Sequence, residues 1–162
     1  MQDSTLVIDR EHNYSVQIPE ITPGGQTVEV LQEEHTGKNR MHAHSPDLSE
    51  LYFEIVSYEG IAAHDVAISE QKTFLSDRSP DARISDTKRC TVHGFEATEF
   101  CFEGMLEGCS KVRRFIFVDS PIRTYRIVYD PTSRVNEQVL DSFVVETERT
   151  VRRSGDSDRP EA

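Results

Sequence analysis

Over most of the chain apolar and polar residues alternate with a period of two, the spacing of half-buried strands, and two stretches change to the spacing of a helix. Thr5 to Asp9 and Tyr14 to Ile18 are rich in β-formers, and Glu11-His12-Asn13 between them suits a tight connection, so an opening hairpin is predicted. Ile21-Thr22-Pro23-Gly24-Gly25 reads as a turn, because Pro fixes φ and paired glycines tolerate positive φ. Thr27 to Gln32 alternates Val28 and Val30 with polar residues, and Gly37 to His44 is its expected partner before Ser45-Pro46-Asp47 breaks the chain. Glu50 to Glu59 places Leu51, Phe53 and Ile55 on one face and Tyr52, Val56 and Tyr58 on the other, the pattern of a central strand covered on both sides.

The first helical stretch carries Ile61, Ile68 and Leu75 seven apart, with Ala67 and Phe74 on the same stripe, which predicts an amphipathic helix of about four turns. Asp77 to Ala82 ends it. Ile84 to Val92 and Phe95 to Glu103 flank His93-Gly94, a two-residue link with a glycine for the positive φ of a tight hairpin. Ser110 to Val118 and Arg123 to Tyr129 follow, and the economical arrangement of these four segments is an antiparallel meander. Ser133 offers an N-cap hydroxyl to a second helix with Val135, Val139, Leu140 and Phe143 on one face. The expected fold class is α+β: one antiparallel sheet of about six or seven strands, flanked by two main helices in an α/β/α-like sandwich. It forms a single domain over 1–146. From about Thr147 onward, charge, Ser, Gly and Pro without an apolar period predict a disordered tail over 147–162.

Composition narrows the range of partners. The 162 residues hold 29 acids against 18 bases, a formal charge of -11, which opposes nucleic-acid binding because that normally requires a clustered basic face. Apolar runs are only a few residues long, so no membrane span is expected. The first residues lack the basic and apolar regions of a secretory signal, although a trimmed leader would leave no trace. Cys90, Cys101 and Cys109 are odd in number and lack CxxC spacing, which points to free thiols and a cytoplasmic location. A hairpin loop over 104–109 would bring Cys101 towards Cys109, with a disulfide there as the alternative to idle thiols.

The order of elements, with an opening strand Tyr14-Ser15-Val16-Gln17-Ile18-Pro19 and a terminal helix closing on Val139-Leu140-Asp141-Ser142-Phe143, resembles the PsbP-like and DcrB-like superfamily over roughly residues 5–146. Members open with an aromatic-x-apolar-x-apolar-Pro strand and close on a helix ending in Ser-Phe; they commonly place a Trp after the opening Pro, and this chain has no Trp. The resemblance implies an antiparallel sheet sandwiched by helices and a non-catalytic binding domain. It carries over no catalytic residue.

Candidate chemistry is sparse. His42 and His44 would share one face of a strand, with His35 nearby in sequence, and imidazole nitrogens are ligands for first-row metals; the alternative is solvated loop histidines. His64-Asp65 opens the first helix, where adjacent residues point apart rather than towards one another, so a structural role is expected. Neither Cys90 nor Cys101, paired with His93, has an evident activating charge. Arg113, Arg114, Arg123 and Arg126 gather four cations on two neighbouring strands, opposite Glu96, Glu99 and Glu103. Cross-strand pairing explains them, and a site for a partner's carboxylate or phosphate is the functional alternative. Tyr52, Tyr58, Phe100, Phe102, Phe115, Phe117, Tyr125 and Tyr129 are expected mainly in the core, with a ligand cavity between sheet and helix as the other option.

The functional expectation is a non-catalytic protein-interaction domain, adaptor or chaperone-like, that binds a protein partner through the outer sheet surface or a crevice beside the first helix. No cofactor is expected. The alternative is a small-molecule or metal-binding protein, or an enzyme, using the His35, His42 and His44 region. A homodimer through the edge segment Thr27 to Gln32 stands between the two.

Overall fold

The alternating segments resolve into β1 (Ser4–Asp9), β2 (Tyr14–Pro19), β3 (Glu29–His35), β4 (Lys38–His44), β5 (Tyr52–Tyr58), α1 (His64–Arg78), β6 (Arg83–Ile84), β7 (Lys88–Val92), β8 (Phe95–Leu106), β9 (Cys109–Asp119), β10 (Thr124–Tyr129), α2 (Arg134–Ser142) and β11 (Val144–Val145). The structure, a computed structural model, describes residues 4–9, 11–35, 38–48, 50–58, 64–121 and 123–145. Ile61 and the expected tail over 147–162 lie outside the described residues.

The strands are antiparallel and form two sheets. The larger runs β3-β4-β5-β10-β9-β8-β6, with β7 also paired to β8, and so has eight strands where six or seven are expected. The opening hairpin pairs as predicted but does not join this sheet; β2 is closed on its other edge by β11, giving a separate sheet of three strands. Tyr14, Val16 and Ile18 are fully buried on one face of β2, and they pack onto the large sheet rather than extend it.

Each face of the large sheet has its own core. On one, Met41, Phe53, Ile55, Ile116, Val118 and Ile127 meet the buried face of β2 together with Val139, Leu140 and Phe143 of α2. On the other, Phe100, Phe102, Phe115, Phe117 and Val128 meet Ile68 and Leu75 of α1. The α+β class and the antiparallel sheet are as expected. The layer on the α2 side differs from a simple α/β/α sandwich, since a three-stranded sheet shares it with the helix.

Other departures have local causes. The segment expected to be one strand over Ile84 to Val92 splits: Ser85 takes a hydrogen bond from the Cys101 amide and returns one to its carbonyl, while Lys88 already pairs with Glu99. Three residues on this side therefore oppose two on the other, a one-residue bulge. The β8–β9 link is tighter than the loop expected over 104–109. Glu107 and Gly108 turn the chain with φ of 52 and 79°, so Cys109 pairs with Leu106 and Cys101 with Arg114, and the two thiols sit apart on the ladder, both exposed and free. The His93-Gly94 turn is as predicted, with φ of 49 and 87°. Phe74 leaves the α1 core stripe for solvent, where the Arg78 guanidinium lies over its ring at 4.5 Å. Ser133 occupies the N-cap of α2, but its hydroxyl donates to the Glu50 carbonyl instead of accepting from the helix.

Candidate functional site

On the face that carries α1, the helix packs against β8, β9 and β10. The β3–β4–β5 part of the same face bears polar side chains. Register sets which ones meet: Arg40 lies opposite Val56, His42 opposite Glu54 and His44 opposite Tyr52, while β3 adds Glu33 beside Arg40 and Leu31 beside His42. Arg126 of β10 is opposite Val56 from the other side. Directly opposed residues share a face, so these side chains form one continuous surface next to α1.

Glu54 is its centre. Only 6% exposed, its carboxylate accepts from Arg40 Nε at 2.7 Å and from Arg126 Nη2 at 3.0 Å. An unpaired carboxylate buried this deeply would be strongly unfavourable, and two guanidiniums supply its counter-charge. Arg126 is fixed further by donation from Nη1 to Gln71 Oε1 of α1 at 2.6 Å. Burial works to lower the Arg40 pKa, and Glu54 outweighs it, so the guanidinium is held above its ordinary value. A second carboxylate, Glu33 Oε2, accepts from Arg40 Nη1 at 3.4 Å, so the two cations of this cluster are balanced by two anions.

Beside the triad, the His42 and His44 rings stack at 5.5 Å with 20° between their planes. His42 Nε2 is buried without a hydrogen bond, 3.8 Å from Glu33 Oε1. Burial first, then the Arg40 charge, push the His42 pKa below its usual value, with Glu33 pulling the other way. The ring is therefore neutral at pH 7. Next along, the Arg113 guanidinium lies 4.2 Å from the Tyr52 ring centre, donates to the Val112 carbonyl at 2.8 Å and sits 3.7 Å from Asp130 Oδ2. The Tyr52 hydroxyl is pushed up by burial and then by Glu54, so it stays protonated at pH 7.

The structure divides the four arginines singled out in the sequence. Arg113 and Arg126 belong to the face just described. Arg114 points to the other face, where Nε donates to Glu99 Oε2 at 2.8 Å, and its fork also reaches that oxygen and the Tyr129 hydroxyl. This is the expected cross-strand pairing, set diagonally, since Arg114 is opposite Cys101 and Glu99 opposite Ile116. Arg123 holds the tip of the first hairpin through Asn13 Oδ1 at 3.1 Å and the Glu11 carbonyl at 2.8 Å. His42 and His44 come together as predicted. His35 does not join them: it pairs with Lys38, four residues from His42 along β4, about 13 Å at strand spacing. His93 Nε2 lies 3.0 Å from the Leu140 carbonyl near the end of α2, a structural contact, and burial followed by Glu99 raises the Cys90 thiol above its ordinary pKa. A shallow groove does form between the small sheet and α2, lined by Gln17, Pro19, Val135 and Val139 among others.

Arg40 and Glu54 are absent from the candidates raised by sequence alone. A signal existed for Glu54, the one charge inside an apolar strand expected to be covered on both faces, where a carboxylate requires a cationic partner. The choice of Arg40 and Arg126 depends on the β4-β5-β10 order, and β10 follows β5 by more than sixty residues in sequence.

No protein-family model matches the chain, and no curated protein does either. Solved structures do match in fold. A protein from Bacteroides thetaiotaomicron VPI-5482 superposes with a TM-score of 0.59 at 14% identity over 92% of this chain, which spans 50% of that protein's length. The cyanobacterial PsbP (CyanoP) from Synechocystis sp. PCC 6803 superposes with a TM-score of 0.61 at 12% identity, covering 90% of this chain and 94% of that one. Among the described residues no helix is long and apolar enough to cross a membrane. The chain thus has a fold similar to that of PsbP.

Proposed function

We propose that this chain is a non-catalytic interaction domain whose partner, a protein, docks on the sheet surface beside α1 around Arg40, His42, His44 and Tyr52. The observation that carries this reading is the Arg40–Glu54–Arg126 triad: its buried carboxylate fixes two guanidiniums, and Arg40, 32% exposed, reaches the surface beside the more exposed Glu33, 3.4 Å away. Such a surface suits an acidic side chain of the partner that takes the place of exposed Glu33 on Arg40, because guanidinium binds carboxylate in a planar fork. The overall charge of -11 opposes long-range capture of acidic partners, so recognition here is a short-range, geometric one. Glu54 is fully committed to the two arginines, and so acts as a structural anion rather than as a free general base. The likeness in fold to PsbP adds support for the architecture alone. The three free thiols favour a cytoplasmic setting. Self-association through edge strand β3 is less favoured, since Glu29, Glu33 and Glu34 would face their own copies.

Binding of a co-purifying polypeptide, titrated against purified variants, tests the reading. Arg40→Glu weakens it at least about tenfold, the scale of losing one charge-assisted pair, while Arg89→Glu on exposed β7 leaves it unchanged. Equal affinities for Arg40→Glu and the unaltered chain would remove the site. Charge reversal at Arg114 reports on folding instead, because that side chain is on the opposite face.

The second reading, a small-ligand site at His42 and His44, rests on the buried, unpartnered Nε2 of His42. A saturable small-molecule complex lost in His42→Ala, with no polypeptide bound, would favour it over the first.

A further inference from the structure

At the tip of the first hairpin, on the opposite face of the large sheet from the triad, Glu11 and His12 of the β1–β2 turn meet Glu34 of β3. One ligand atom from each of the three lies within 4.8 Å of the others. The imidazole is held in place from behind. Asp9 accepts the His12 backbone amide at 3.0 Å, and its two carboxylate oxygens lie 2.8 Å from His12 Nδ1. With Nδ1–H given to Asp9, the lone pair that a metal ion would take is the one on Nε2. A carboxylate behind a histidine in this way is the arrangement that fixes the tautomer and raises the basicity of metal-binding imidazoles. Asp9 and His12 are only 10% and 13% exposed, so the ring cannot swing freely. The turn itself is anchored: the Tyr125 hydroxyl donates to the His12 carbonyl, and Arg123 donates to the Glu11 carbonyl and to Asn13.

A second observation comes from the sheet below. Asn39 is directly opposite Glu34 and only 4% exposed, and its Oδ1 is buried without a hydrogen-bond partner. Ser57, next across the ladder on the same face and 1% exposed, likewise has a buried Oγ without one. Buried polar oxygens normally have partners, so this row is short of a donor or a cation. Asp9, Glu11 and Glu34 bring three carboxylates to the same place, against the Arg123 guanidinium, whose nitrogens are directed to the turn's own oxygens.

We infer that Glu11, His12 and Glu34 form a binding site for one divalent first-row metal ion, with Asp9 orienting the histidine and the unpartnered Asn39 Oδ1 in the row directly opposite Glu34. One imidazole nitrogen and two carboxylate oxygens suit Zn²⁺ or Mn²⁺ and leave positions open for water. The ion would join the small sheet to the edge of the large one, so that metal binding stabilises the docked hairpin by mass action.

The test is isothermal titration of metal-free full-length protein with Zn²⁺ at pH 7, alongside thermal unfolding with and without the ion. One equivalent binds and the melting temperature rises; in His12→Ala and in the exposed-site variant Glu34→Gln the affinity falls about ten- to a hundredfold and the rise in melting temperature shrinks. Asp9→Asn weakens binding in the same direction although it supplies no ligand. Variants are first shown to be folded by circular dichroism, and Glu34→Gln, a surface change, keeps the test valid should His12→Ala unfold. Absence of saturable binding overturns the inference. So does an affinity unchanged in Glu34→Gln, or binding abolished instead by His42→Ala with His44→Ala, which would place the ion on β4.

Discussion

Replacing Glu54 by Gln keeps the size of the side chain and one acceptor, but it removes the charge and turns an amide donor towards one of two guanidiniums. The wild-type carboxylate takes charge-assisted bonds of 2.7 and 3.0 Å from Arg40 and Arg126. Each such bond contributes roughly 1.5–3 kcal/mol, and removing one partner of a buried pair costs about 3–5 kcal/mol. Glu54 has a side-chain exposure of 7%, yet Arg40 at 32% and Arg126 at 21% can regain water once released, which discounts the upper figure. The expected loss is about 2–3 kcal/mol. With a urea dependence of about 2 kcal/mol per molar, the unfolding midpoint falls by roughly 1–1.5 M. Equilibrium urea unfolding followed by circular dichroism measures it directly. A double-mutant cycle with Arg126→Gln then separates the pair from the site, and a coupling of about 1 kcal/mol or more is expected. A loss below about 0.5 kcal/mol, the scale of ordinary surface changes, or a cycle without coupling would refute the claim that the triad is a buried electrostatic unit.

Three further outcomes follow from the packing and burial of single side chains. His42 has its folded pKa depressed by burial and by Arg40, so its stabilising share is present above the unfolded value near 6.5 and is lost as pH falls through the folded one; wild type therefore weakens between pH 7.5 and 5.5 more than His42→Gln does in matched urea titrations, and equal slopes would contradict the assignment. Phe100, 1% exposed and stacked on Phe115 at 4.8 Å, costs about 3–5 kcal/mol on truncation to Ala, measured by chemical denaturation, without altering the surface around Arg40. Thiol titration of the native protein finds exposed Cys101 and Cys109 reacting quickly and Cys90, with its raised pKa, slowly; a missing pair of thiols would reveal a disulfide that the β8–β9 register excludes.

Much of the fold was legible because the period-two signal is strong wherever one face of a strand is buried. The β3–β4 pair, central β5, the His93-Gly94 hairpin and both helices follow from alternation and turn chemistry. What alternation does not encode is which sheet a hairpin joins. The pattern of Tyr14, Val16 and Ile18 is the same whether β2 extends the large sheet or lies over it, and its closure by β11 depends on two residues too short to carry a signal. The bulge at Ser85 escaped for a similar reason, since one serine, accepting from the Cys101 amide on its hydroxyl and donating to the Cys101 carbonyl from its own amide, displaces one residue without changing composition. At the candidate surface, the pairing of His42 with His44 was readable from i, i+2 spacing alone. The grouping of arginines was not, because adjacency in sequence puts Arg113 and Arg114 on opposite faces, and the partner of Arg126 comes from a strand far away in the chain.

The most direct test of the interaction-domain account is native mass spectrometry of the chain gently purified from its own host, beside the same preparation of Arg40→Glu. The account predicts a reproducible added mass of one polypeptide on the unaltered chain, absent from Arg40→Glu. A bare chain in both preparations, or a polypeptide retained by Arg40→Glu, would contradict it.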